Sequence, residues 1–541
     1  MELDPERAGH FATPRRSDVS EDPGTQPTGQ DAPEGSVRRF SSQFSLLVSS
    51  GLFSYAGVLL LNLVLARRIG AAAFGAWALA YGVMRLIAAL SLLGADWMVL
   101  RQGSYYQGIG DTARLRTTIH FSLSISAIGL LCVSALVYVA APTIASSVIQ
   151  DPSLAPMLRL AALAAPALGL RQVLLYATQT FKDVRVVALV ANVLQPIAYL
   201  VLIGAAVALE PSETAAFSGA VAAEAILTCV AVLALHRRIA LLGTTKKVNR
   251  RELIHFALPA WGSGIVERSR GNIFSILLGS LTNVANVGVL FTADRVSQAA
   301  RAINTTMNRV YTPMASDLFL RDKREELATL AKNVGRWTFT LCFPLTCVMM
   351  VFAEEILSVF GDSFRQGAPL MRLLGLGVLF LCGTGPVTTT LIVAGRSRLN
   401  LLNYLIVVTA EVGTAVWLIP RLGLTGAAIA LLVGRALNNI MPLLEVWAIL
   451  GFHVYRRDYW KPVIAGLSAV AIAKLVTVLL IHRIDPTAAF VGLGVTGLAY
   501  VALLLVFGLG REDRVAIRAL IGRSDRQVLV EPGSASADTT L

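Results

Sequence analysis

Charge is scarce in this chain. Only 15% of its 541 residues are Asp, Glu, Lys or Arg, against about 25% in soluble globular domains. That deficit excludes a soluble multidomain enzyme. Lysine is rarer still, with seven residues among 47 basic ones. The five cysteines, Cys132, Cys229, Cys342, Cys347 and Cys382, are odd in number and sit inside apolar runs. This excludes a disulfide framework and reads as buried structural thiols. There is no G-x-x-x-x-G-K-S/T, so the chain carries no P-loop for ATP hydrolysis. The six histidines are scattered, with no H-E-x-x-H, so neither a metal nor another cofactor is expected. Residues 1–37 hold no apolar stretch of the roughly 7–15 residues that a signal-peptide core needs. No external loop exceeds about 13 residues by the spans given below, too little for a catalytic domain of ~50 residues or more. These absences argue against an enzyme.

Apolar residues fill the space that charge leaves. They make up 55% of the chain, and the mean hydropathy is +0.64. Windows of about 20 apolar residues mark membrane-spanning helices. Fourteen are expected, at 44–66, 74–97, 118–140, 154–178, 185–208, 214–236, 253–280, 285–312, 332–354, 366–393, 400–420, 424–450, 460–481 and 487–509. Pro166, Pro196, Pro344 and Pro386 punctuate them, as neighbouring helices in a bundle can re-satisfy the freed carbonyls. The fold class is an all-α polytopic membrane protein.

Connections on the side of both termini carry 27 Lys and Arg, and those on the other side carry five. By the positive-inside rule both termini are cytoplasmic. The net charge of +13 is then a matter of topology and needs no nucleic-acid partner.

The chain also repeats. A shift of 213 residues brings spans 1–6 onto spans 7–12, with Gly51 on Gly264, Gly75 on Gly288, Ala80 on Ala293 and Arg185 on Arg398. The best block sets Ala155-Pro156-Met157-Leu158-Arg159-Leu160 against Ala368-Pro369-Leu370-Met371-Arg372-Leu373. Six helices is an even number, so the two copies share orientation about an axis along the membrane normal. The expected organisation is a disordered cytoplasmic tail over 1–40, a first six-helix lobe over 41–240 and a second over 250–452. Two further helices occupy 458–510, and a cytoplasmic tail runs over 511–541.

The informative charges lie within the spans. Eleven basic ones stand out: Arg85, Arg159, Arg171, Arg268, Arg270, Arg295, Arg301, Arg309, Arg372, Arg435 and Lys474. Six are acidic: Asp96, Glu224, Glu267, Asp294, Glu411 and Glu445. Each costs at least about 2.5–3.5 kcal/mol at mid-bilayer, so the deep ones must pair or face water. Asp294, Gln298, Arg301, Thr305 and Asn308 recur every three or four residues, which puts them on one stripe of helix 8. Glu267, Arg268 and Arg270 stand on helix 7, where Glu267 can also pair with Arg270 at i, i+3. A surplus of arginine attracts anions and suits phosphate or pyrophosphate. Candidate phosphate ligands are therefore Arg85, Arg171, Arg268, Arg270, Arg295, Arg301 and Arg435. Glu224, Glu267 and Asp294 are candidates for a coupling H⁺ or Na⁺, with silent pairing to arginine as the alternative.

A family resemblance follows from the order of several motifs. Ala66-Arg67-Arg68-Ile69-Gly70 leads to Phe74-Gly75-Ala76-Trp77, then Leu93-Gly94-Ala95-Asp96 and Arg101. Leu258-Pro259, Val287-Gly288, Asp294-Arg295 and the stretch from Pro420 to Ala430 follow in the second half. Across about residues 40–510 the chain resembles the polysaccharide-type (Wzx-like) lipid-linked oligosaccharide flippases of the MOP superfamily. The resemblance implies a V-shaped pair of lobes in a bacterial inner membrane. Such proteins move undecaprenyl-pyrophosphate-linked glycans to the periplasmic leaflet by alternating access, with cavity arginines on the pyrophosphate. It further implies work alongside a polysaccharide polymerase and glycosyltransferases. The lipid tail is expected beside the last two helices. A lipid II flippase and a small-molecule or cation exporter are the alternatives, each matching the motifs less well.

Overall fold

A computed structural model describes residues 32–181, 185–240, 243–481 and 486–507. Most of the expected N-terminal tail and all of the C-terminal one therefore lie outside the described residues. Among the described residues the chain is helices and turns, with no strand. In order these are α1 (Ala32–Ser91), α2 (Ala95–Gly108), α3 (Thr112–Thr143), α4 (Ala155–Gln179), α5 (Arg185–Val187) and α6 (Gln195–Leu209). Next come α7 (Glu213–His236), α8 (Arg250–Leu281), α9 (Val284–Leu320), α10 (Arg324–Val351), α11 (Ala353–Ser358) and α12 (Ala368–Gly383). The chain closes with α13 (Val387–Val393), α14 (Ser397–Leu422), α15 (Leu424–Leu450), α16 (Trp460–Ile481) and α17 (Pro486–Val506). It is an all-α polytopic membrane protein.

Among the described residues, eleven helical segments are long and apolar enough to cross a membrane. One of them, Ser49–Ser91, holds 43 residues. At about 1.5 Å per residue that is roughly twice the ~30 Å hydrocarbon core. It breaks at Gly70, whose φ of 77° and ψ of 174° lie outside the helical region and are open to a residue without a Cβ. The chain reverses there, because Ser54 and Arg85 line the same small cavity; a straight helix would hold them about 46 Å apart. The segment therefore supplies the first two expected spans. α8 and α9, with 32 and 37 residues, match the expected spans over 253–280 and 285–312, and charge keeps them below the hydropathy of the others.

Some boundaries differ from the sequence reading. α1 starts at Ala32, within the segment expected as tail; Pro33 falls in its first turn, where the missing N–H costs no hydrogen bond. Residues 95–108, expected as the end of a span and a loop, form α2, which buries Asp96, Met98, Val99 and Tyr106 and exposes Trp97 and Tyr105. The span over 366–393 is two helices, α12 and α13, because Pro386 stands at the N-cap of α13 and cannot donate a backbone hydrogen bond. The chain is π-helical at Ile144–Ile149 and Ala188–Leu194; Pro142 lies just upstream of the first turn and Pro196 just downstream of the second.

The repeat survives in the elements. α3, α4 and α7 begin at Thr112, Ala155 and Glu213, and α10, α12 and α15 begin at Arg324, Ala368 and Leu424. Each pair lies within two residues of the 213-residue offset. Both Ala-Pro blocks open a helix after a short 3₁₀ turn, where proline is pre-shaped for the first helical position. Helices before α8 pack on one another, helices α9–α15 do likewise, and α16 and α17 pair and lie against α10 and α11.

The two halves meet most tightly near Gly70. Gly75 and Gly288, equivalent by the repeat, stand against each other. A Cβ on Gly75 would lie 1.9 Å from the Val284 carbonyl oxygen, and one on Gly288 would lie 2.5 Å from that of Ala71. Around them Phe74 packs edge-on against Phe291 and Phe364, and Arg67 Nε donates to the Val359 carbonyl at 2.7 Å. A single apolar cluster runs through this contact from both halves. At the opposite end the start of α8 reaches the first half, where Trp261 Nε1 donates to the Ala89 carbonyl at 3.2 Å and Met98 packs with Leu253 and Ala257.

Candidate functional site

Between the halves lies a cavity of about 820 Å³. The first half of α1 contributes Gly51, Ser54 and Tyr55, and its second half contributes Arg85. α8 adds Asn272 and Ser275, and α9 lines it from Phe291 to Thr305. At about 1.5 Å per residue that stretch of α9 is roughly 21 Å long and runs away from the Gly70 contact. Smaller cavities of about 300, 360 and 190 Å³ adjoin it and share its residues. Arg85 lines three of the four, and Asp294, Arg295 and Arg301 line two each.

The electrostatics are set by a few contacts. Asp294 Oδ1 accepts from Arg301 Nη2 and from Arg435 Nη2, both at 2.7 Å, and Gln298 Nε2 donates to Asp294 Oδ2 at 3.0 Å. One carboxylate thus serves two guanidinium groups. Arg435 Nη1 also donates to the Leu374 carbonyl at 3.0 Å, which fixes the group against α12. Arg295 Nη1 donates to Gln298 at 3.1 Å, and its guanidinium lies 4.5 Å from the centroid of the Phe291 ring. Tyr55 OH donates to the Arg295 carbonyl at 2.9 Å and ties α1 to α9. Arg85 sits over the Tyr81 ring at 6.0 Å. Neither Arg85 nor Arg295 has a carboxylate within ion-pair distance among the described residues.

The first half holds a different arrangement. Arg171 makes a two-pronged pair with Glu224, Nε to Oε2 and Nη2 to Oε1, both at 2.9 Å. Tyr199 OH donates to the same carboxylate, and Arg171 Nη1 donates to Gln195 at 3.2 Å. Glu224 is fully buried and Arg171 is 5% exposed, so the charges cancel inside the helix bundle.

The sequence-derived candidates therefore separate. Arg85, Arg295, Arg301, Asp294, Gln298 and Thr305 come together in the main cavity, and Arg435 joins through Asp294. Arg171 and Glu224 face one of the adjoining cavities or its wall as a neutral pair. Asn308, the last of the α9 stripe, turns to its own surroundings; it donates to Asn304 at 2.9 Å and accepts from Thr389 of α13 at 3.1 Å. Glu267, Arg268 and Arg270 lie on α8 with side chains outside the described residues. Neutral polar residues on otherwise apolar helices were missed: Asn272, Gln172, Gln195, Asn438 and Asn439 all line these cavities. An isolated amide in a span was the available signal. Elsewhere, Lys474 pairs with Glu355 at 2.6 Å and Arg372 with Glu354 at 2.8 Å, both remote from the cavity.

Comparison with known proteins gives these observations a family. Residues 64–369, more than half of the chain, match the family described as polysaccharide biosynthesis protein. An uncharacterized membrane protein of Methanocaldococcus jannaschii is 24% identical over 263 residues, 46% of this chain and 50% of that protein. The capsular polysaccharide biosynthesis protein CapF of Staphylococcus aureus is 21% identical over 186 residues, 34% of this chain and 47% of that one. The chain spans about half the length of the curated relatives it matches. Among solved structures, the lipid II flippase MurJ in an inward closed conformation superposes with a TM-score of 0.69 at 13% identity, over 87% of this chain and 100% of that chain. An inward-facing multidrug resistance MATE family transporter of the MOP superfamily does so with a TM-score of 0.59 at 14% identity, over 75% and 98%. At such identities the likeness is one of fold. The chain belongs to the polysaccharide biosynthesis protein family and has the fold of the MOP-superfamily transporters.

Proposed function

We propose that the protein is a bacterial inner-membrane flippase for a polyprenyl-pyrophosphate-linked oligosaccharide, working by alternating access with both termini in the cytoplasm. The observation that carries this reading is the surplus of arginine in a cavity of about 820 Å³ between two repeated halves. Arg85 and Arg295 have no carboxylate partner among the described residues, and Arg301 and Arg435 share one. Such a surface attracts a pyrophosphate, which planar guanidinium groups can grip with two parallel hydrogen bonds. It repels the cations that an acidic exporter site would attract. The family match favours a glycan as the remainder of the cargo, delivered by glycosyltransferases and passed to a polymerase.

In this reading residues 41–240 and 250–452 are the two moving lobes. The Gly70 end faces the periplasm and is shut, and the cavity is reached from the cytoplasm. Arg295 is the leading phosphate ligand, followed by Arg85, Arg301 and Arg435, with Arg268 and Arg270 on the adjoining helix. Arg171 and Glu224 serve the fold of the first lobe. Asp294 sets the spacing of Arg301 and Arg435, and an H⁺ or Na⁺ that takes their place would couple it to transport.

The test is depletion of the protein, followed by mass spectrometry of polyprenyl-linked lipids with a sidedness probe on spheroplasts. One complete oligosaccharide-pyrophosphate lipid should accumulate on the cytoplasmic face. Restored wild-type protein should clear it, whereas the double variant Arg85→Ala/Arg295→Ala at equal abundance should not. Clearance by that variant would sink the anion-cavity argument.

A further inference from the structure

Two cavities share a wall beside α9. The charged one, about 300 Å³, is lined by Asp294, Arg301, Arg435, Asn438 and Asn439. Its neighbour, about 410 Å³, is apolar apart from Thr409 and Glu411; Leu86 and Leu90 of α1, Ile273 of α8, and Leu405, Val408 and Val412 of α14 form its sides. Phe274 and Glu411 belong to both cavities, so the apolar slot adjoins the arginine site directly. Leu90, Ile273 and Leu405 are 38%, 41% and 48% exposed, so the slot is open, and its apolar lining suits hydrocarbon better than water. α1 belongs to one half and α14 to the other, and α8 packs against both.

A charged pocket joined to an open apolar slot fits an amphiphile whose phosphate and hydrocarbon part company at one point. The tail of a lipid-linked glycan cannot follow its head group through an aqueous cavity, because its apolar surface must stay out of water throughout. It therefore needs an apolar passage adjoining the phosphate site. α16 and α17 lie against α10 and α11, and none of the five cavities described above, including those at the arginine site, is lined by either of them.

We infer that the slot between α1, α8 and α14 holds the polyprenyl tail of the cargo while the pyrophosphate lies in the main cavity with Arg85 and Arg295 and reaches Arg301 and Arg435 beside the slot. This inference rests on the flippase reading and replaces the expectation that the tail runs beside the last two helices. It also gives α8 a role as the movable wall between tail and head group.

A photoreactive benzophenone side chain placed at Leu405 or Leu90 tests it. Positions Leu475 on α16 and Leu498 on α17, 60% and 77% exposed, serve as lipid-facing comparisons. The full chain would be irradiated in phosphatidylglycerol nanodiscs doped with undecaprenyl pyrophosphate, and the adducts identified by mass. Prenyl adducts should exceed those at Leu475 and Leu498 several-fold at both slot positions, and Arg435→Ala should reduce them. Phospholipid adducts should show no such preference. Binding of the same probe is read separately by native mass spectrometry. Binding with equal or greater prenyl labelling on α16 and α17 would overturn the slot and leave the flippase reading standing. No binding at all would remove both.

Discussion

The partners of a buried charge predict what its loss would do. Glu224 accepts from Arg171 and Tyr199 with no water contact. Glu224→Ala should therefore destabilise the protein by about 3–5 kcal/mol, because it strands a buried guanidinium. The double change Arg171→Met/Glu224→Leu should cost far less, since it removes both charges. Thermal unfolding in detergent reads both, and equal losses in the two variants would contradict the pairing. Arg295 gives the opposite signature. Arg295→Ala should leave the melting temperature near wild type and abolish clearance of the lipid-linked glycan, with Arg295→Lys intermediate because lysine keeps the charge and loses the planar fork. At this scale the sequence was informative about which residues matter, since an arginine in a span advertises itself. It said nothing of who pairs with whom. Asp294 and Arg435 are 141 residues apart, and no helical periodicity connects them.

Among the elements, length and period were legible and breaks were not. The stripe on α9 followed from spacings of three and four, yet Asn308 leaves it, because α13 approaches from the side and offers Thr389. α13 exists as a separate helix because Pro386 interrupts an apolar run that reads as continuous. α2 was invisible because its buried face needs only Met98, Val99 and Tyr106 among polar residues. The contact between the two long helices α1 and α9 yields a prediction. Gly288→Ala places a methyl group against the Ala71 carbonyl, and overpacking of this kind costs about 1–3 kcal/mol. That sum should shift the balance toward the state open at the Gly70 end by about 5–150-fold. In a variant lacking the five native cysteines, labelling of a cysteine at Ala71 by a membrane-impermeant maleimide should rise accordingly. Unchanged labelling would show that this contact does not hold the end shut.

At the scale of the whole molecule, the apolar runs and the 213-residue repeat both reappear as helices. The runs appear as helices because lipid leaves backbone groups no partner outside the chain. The distribution of Lys and Arg, with 27 on one side and five on the other, predicts the orientation. A fluorescent-protein fusion after residue 541 and one before residue 1 should both fold in the cytoplasm, and an alkaline phosphatase inserted beside Gly70 should be active in the periplasm. Fluorescence at only one terminus would mean an odd number of crossings. The cavity itself was not legible as a volume, since it is what two packed bundles leave between them.

Gly75 and Gly288 correspond by the repeat and also meet in space. This is the geometry of a self-complementary surface: in a two-fold dimer the residue on the axis faces its own copy. The two halves of this one chain therefore pack at that point as two copies of a single unit would, and the axis relating them passes between two residues that leave no room for a Cβ.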